Sequence, residues 1–122
     1  MKATSGHFML DAKVEFKDLY DIFAEILTTF LEETEQMPDD DDILHMFIYL
    51  NRKALKKNEK PEGYNRKGTM RMVFPLGSKQ FYIKANNESS EVIVLGEKIS
   101  KMLTKAGIKH SLQWDALGLD VN

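Results

Sequence analysis

The chain contains no cysteine in its 122 residues. That excludes disulfide staples, cysteine-based zinc sites and thiol catalysis together. No apolar run approaches the ~20 residues needed to span a bilayer, and the opening Met1-Lys2-Ala3-Thr4-Ser5-Gly6-His7 lacks the apolar stretch of a secretory leader. A cytoplasmic protein with no membrane partner is expected. Gly63 and Gly68 lie five apart without the Lys-Ser/Thr ending of a phosphate-binding loop. His7, His45 and His110 are scattered, so no histidine cluster for zinc is visible, and no cofactor is implied.

What is present is sorted charge. Residues 1–42 hold 12 acids and 3 bases, a net of −9, and residues 43–84 hold 2 acids and 10 bases, a net of +8. The remainder carries −1, so a near-neutral total of −2 hides an acidic third followed by a basic third. Such asymmetry points to a charged partner or to pairing within the molecule. With 43% apolar residues and seven Phe, the chain can fill the core of one domain, expected over 1–122 with 1–7 and 116–122 loose.

Strict alternation of Phe8, Leu10, Ala12, Val14 and Phe16 against Asp11, Lys13 and Glu15 predicts a half-buried strand. Asp18 reads as an N-cap with Asp21 as the reciprocal acid of a capping box. Leu19, Ile22, Phe23, Ile26, Leu27, Phe30 and Leu31 then follow at helical spacing. Periodicity alone does not separate helix from buried strand over 43–50. The repeats of Ile43, Phe47, Leu50 and Ala54 and of Leu44, Ile48 and Leu55 favour a helix, as do the four Asp at its start and Arg52, Lys53, Lys56 and Lys57 near its end. Pro61, Gly63 and Gly68 punctuate a loop. Thr69–Phe74 and Lys79–Ala85 alternate on either side of Phe74-Pro75-Leu76-Gly77, a type I turn, and so form a hairpin. Asn86 to Ser90 break the strand, Ser89 or Ser90 caps a helix running to Ala106, and Gly107 ends it. Ile108, His110, Leu112 and Trp114 alternate in a last strand. The fold class is thus α+β in β-α-α-β-β-α-β order. With one helix set aside as an insertion, this is the element order of a ferredoxin-like antiparallel sheet. Phe23, Ile26, Phe30, Phe47, Phe74, Phe81 and Leu103 are expected in the core.

Two charged surfaces are candidates for function. Arg66, Lys67, Arg71, Lys79 and Lys84, with Tyr82 on the face away from the alternating apolar set, make a candidate nucleic-acid or anion site. Clustered long cations neutralise phosphates, and a flat ring among them can stack on a base. Lys79-Gln80-Phe81-Tyr82-Ile83-Lys84 matches the RNA-recognition signature only loosely. Asp18, Asp21, Glu25, Glu32, Asp39, Asp40, Asp41 and Asp42 make an acidic surface able to occupy a basic groove on a partner. The bland alternative for both blocks is a solvated face. Asp41 and His45, four apart and near Glu35 and Asp39, offer thin metal ligation without the spacing of a calcium loop. Glu15-Phe16-Lys17 near Asp11 has the acid-x-Lys spacing of metal-dependent nucleases and little else. Met37, Met46, Met70, Met72 and Met102 add soft apolar surface suited to protein recognition or to a homo-oligomer.

The expected role is therefore non-enzymatic. It is a small regulatory or inhibitory protein binding a protein or nucleic-acid partner through segregated charge, of the kind common among phage and mobile-element accessory proteins. A nucleic-acid-binding module over 52–84 is the alternative, and a small metal-dependent enzyme the distant third.

Overall fold

In the computed structural model, which describes residues 1–117, the first strand β1 spans Ala3–Leu10. Two expectations change with it. Residues 3–7, expected to be loose, are sheet. The alternation expected to run to Phe16 stops at Leu10, because Asp11 turns the chain. Its carboxylate accepts from the Lys13 amide (3.1 Å) and its carbonyl from the Val14 amide (2.9 Å). Ala3-Thr4-Ser5-Gly6 has weak strand propensity, but packing overrides it. A Cβ on Gly6 would stand 2.9 Å from the Trp114 ring, so only glycine admits that indole. Of the tail expected to be loose, Ala116 is buried and Leu117 exposed. Residues 118–122 lie outside the described residues.

A 3-10 turn at Phe16–Leu19 leads into α1 (Tyr20–Glu33). The capping box sits three residues earlier than expected. Glu15 is its N-cap and Asp18 its reciprocal acid, the Asp18 carboxylate accepting from the Glu15 amide at 2.9 Å. The segment 43–50 is helical, within α2 (Asp41–Lys56), and the Asp40 carboxylate caps it by accepting from the Asp42 amide. The hairpin forms from β2 (Met70–Val73) and β3 (Gln80–Ser89), turning at Leu76–Gly77, with Gly77 at positive φ. The second hairpin strand is longer than expected and runs directly into α3 (Ser90–Lys105), whose N-cap is Ser89. Last comes β4 (His110–Trp114).

The four strands form one antiparallel sheet in the order β2-β3-β1-β4. That order and those directions are the ferredoxin-like arrangement, with α2 as the added helix. Phe8, Phe81 and Ile83 face α1 and α3 across the core, joined by Phe23, Ile26, Phe30, Phe74 and Leu103. Phe47 is only half-buried.

The added helix packs beside α1 and the 3-10 turn. Its two apolar sets at helical spacing, Ile43, Phe47, Leu50 and Ala54 and Leu44, Ile48 and Leu55, leave the inward face open. The structure turns the second set inward, with Leu44 and Ile48 half-buried and Asn51 and Leu55 the fully buried side chains. Asn51 closes a set of amide hydrogen bonds. Its Nδ2 donates to the carbonyls of Phe47 (2.8 Å) and Gly63 (3.2 Å), and its Oδ1 accepts from the Gly63 amide at 2.7 Å. Gly63 has φ +74°, and a Cβ there would lie 2.4 Å from the Met72 carbonyl oxygen. The next residue, Tyr64, exchanges backbone bonds with Met72 of β2. One buried amide thus ties the outer helix to the sheet edge.

Adjacent residues of α2 should therefore respond against their hydropathy. Asn51→Ala leaves the buried Gly63 amide unsatisfied and should cost about 1–3 kcal/mol. Leu50→Ala, at an exposed position, should change stability by no more than about 0.5 kcal/mol. Urea unfolding of both variants checks this; the opposite ranking would mean that α2 is rotated.

Candidate functional site

The rotation imposed by Asn51 leaves an apolar stripe outside. Ile43 is 41% exposed, Met46 49%, Tyr49 62% and Leu50 54%. At 100° per residue these four lie within one 120° arc, opposite the arc of Leu44, Phe47, Ile48, Asn51 and Leu55. Scattered exposed apolar residues need no explanation, but four adjacent ones on one helix form a patch. A groove of about 260 Å³ borders the stripe, walled by Met46, Phe47 and Leu50 on α2 and by Tyr64 and Arg66 on the loop. The Arg66 guanidinium lies over the Phe47 ring, 4.9 Å from its centroid.

Charge frames the stripe. Asp39, Asp40, Asp41 and Asp42 are exposed at its N-terminal end. Lys53, Lys56 and Lys57 are exposed at the other, and Arg52 is half-buried. The Arg52 guanidinium stacks 4.0 Å above the Tyr20 ring, and its buried Nε has no hydrogen-bond partner. Two ion pairs occur among the described residues, Lys17–Glu15 and Lys98–Glu33. Neither joins an acid of the first third to a cation of the second, so the charge sorting is not internal pairing.

The other expected acids occupy a different place. Asp21, Glu25 and Glu32 are exposed on the outer side of α1, and Asp18 is exposed in the 3-10 turn that precedes it. The expected cation cluster is only partly assembled. Arg71 and Lys84 are directly opposed across β2 and β3, on the sheet face turned away from the helices, with Tyr82 beside them opposite Val73. Arg71 Nη1 donates to Asn65 Oδ1 at 3.0 Å, which places Arg66 and Lys67 in the adjoining loop. Lys79 lies elsewhere, before the start of β3, and its Nζ donates to the Ala12 carbonyl at 2.8 Å. Tyr82 is half-buried and stacked on His7, the two centroids 4.9 Å apart. Since His7 is 1% exposed, the rings of the central strands engage each other.

Two serine–histidine contacts escaped the sequence reading. Ser5 Oγ lies 2.8 Å from His7 Nε2, buried, with Gln80 Oε1 3.3 Å from Nδ1. Ser100 Oγ lies 2.7 Å from His110 Nε2. The Ile108 carbonyl can only accept, so His110 Nδ1 carries the proton there. Ser5 and His7, two apart, share a face only because β1 begins at Ala3. Asp41 and His45 are both exposed, and among the described residues no three His, Asp or Glu side chains converge on a metal position. No described helix is long and apolar enough to cross a membrane. Comparison with family models, curated proteins and solved structures finds no match.

Like charges directly opposed in a sheet repel. Lys84→Glu should therefore turn the Arg71–Lys84 contact attractive and raise stability by about 0.2–1 kcal/mol in urea unfolding at low salt. A fall would show that Lys84 is held by something stronger than its repulsion from Arg71.

Proposed function

We propose that the chain is a small non-enzymatic regulatory or inhibitory protein that docks on a macromolecular partner through the outer face of α2. The exposed stripe Ile43, Met46, Tyr49 and Leu50, framed by acid at one end and base at the other, carries this reading. Apolar area supplies affinity when covered, and the unpaired charges at its ends supply orientation and encounter rate. Met46 and Tyr49 suit the role, one adaptable and the other amphipathic.

The nucleic-acid reading keeps one supporting observation. Arg71 and Lys84 lie on the sheet face opposite the acids of α1, so those acids do not share their surface. It is the weaker reading, because Lys79 is tethered elsewhere and Tyr82 is already stacked.

The two are separated by a pair of measurements. In extract from the native source, the tagged chain should migrate in a complex that Leu50→Glu releases, with unchanged circular dichroism. The double variant Arg71→Ala/Lys84→Ala should keep that complex. Purified chain should bind neither single-stranded RNA nor DNA in anisotropy titrations at low salt. Binding that is lost with the double variant and weakens steeply with salt would replace docking through α2 by phosphate recognition on the sheet.

A further inference from the structure

We infer that the occupant of the α2 face is a second copy of this chain, paired antiparallel about a two-fold axis. This rests on the docking reading above and names its partner.

The stripe is complementary to itself. A two-fold interface brings one patch against its own image, so residue i meets j and j meets i. Along the exposed side of α2 run Asp42, then Ile43, Met46 and Leu50, then Lys53, with Lys57 at the C-cap. Take Ile48 as the level of the axis. Asp42 stands six residues before it and Lys53 five after, so at about 1.5 Å per residue the two lie at nearly equal heights. Antiparallel pairing therefore sets Asp42 beside Lys53, twice over. Met46 then meets Leu50 across the centre. Parallel pairing would instead place acid on acid and base on base, which repels.

Each copy also leaves unanswered what the other supplies. None of Asp39, Asp42, Lys53 or Lys57 belongs to either ion pair found among the described residues. Arg52, held flat on Tyr20 beside Lys53 and Lys56, presents a cationic groove with no carboxylate in its walls. In the antiparallel pair the aspartate tract of the second copy arrives at that groove. The helix dipole accounts for acids and bases at opposite ends of one helix. It does not account for the apolar residues exposed between them, which pairing covers.

Sedimentation equilibrium of the purified full chain tests this. A reversible dimer is expected, weakening with salt. Leu50→Glu should leave a monomer with unchanged circular dichroism. Asp42→Lys and Lys53→Asp should each self-associate at least about tenfold more weakly, a loss of about 1.4 kcal/mol. Mixed in equal amounts, the two charge variants should restore wild-type affinity as a heterodimer. A monomer at protein concentrations up to about 1 mM overturns the inference, since that bounds Kd above the weakest useful range. So does a dimer indifferent to Leu50→Glu, or one that the mixture fails to rescue. If the chain is monomeric yet Leu50→Glu still releases the native complex, the docking reading stands and only the second copy falls. If Leu50→Glu changes neither, both fall.

Discussion

The placement of the outer helix depends on one buried side-chain amide. Asn51 gives its two donors to the carbonyls of Phe47 and Gly63 and takes the Gly63 amide in return. Buried polar groups that find partners hold their surroundings to one arrangement, because any rotation would leave them unsatisfied. Here the arrangement leaves apolar residues outside. Leucine precedes Asn51 in the chain, yet the leucine faces water and the asparagine faces the core. Hydrophobic burial alone does not choose between the two faces of α2, since Leu44, Phe47, Ile48 and Leu55 line one and Ile43, Met46, Tyr49 and Leu50 the other. Gly63, whose positive φ and closeness to Met72 admit no side chain, completes the lock and connects it to the edge of the sheet.

From that constraint the exposed apolar stripe follows. With Asn51 and Leu55 inward, Ile43, Met46, Tyr49 and Leu50 are outward, and the charged ends of the helix flank them. The charge sorting of the whole chain thus has two structural meanings. Part of it lies on α1, facing away from the sheet. Part of it is drawn along a single helix, acid first and base last, where an apolar centre separates the two. The sheet face bears Arg71 and Lys84 in opposition, but its aromatic residues are committed to each other.

Much of this was legible in the residues, and the failures have physical causes. The order of elements, the amphipathic α1, the hairpin and the serine cap of α3 follow from local periodicity and turn chemistry, which act within a few residues. The core set was right for Phe23, Phe30, Phe74 and Phe81, which belong to unambiguous periods. The start of β1 was not legible, because Ser5, Gly6 and His7 become strand residues only through Trp114, Tyr82 and Gln80, all distant in sequence. The facing of α2 was not legible either. Its hydropathy pattern admits two rotations, and the choice is made by an asparagine bonding a glycine twelve residues on. The sites shared this limit: Lys79 seemed to extend the row of Lys84 and Arg71 until the turn at Asp11 supplied Ala12 as its partner.

The central claim is that the outer face of α2 is covered when the protein works. Hydroxyl-radical footprinting reads it directly, since Met46 and Tyr49 are both reactive and exposed. Oxidation should be compared between dilute purified chain and the chain in its native extract, with Leu76 and Val94 as exposed references. The account predicts that Met46, Tyr49 and Leu50 become protected in the extract while Leu76 and Val94 do not. Unchanged oxidation of α2, with protection gathered instead at Tyr82 and its neighbours on the sheet, would contradict it.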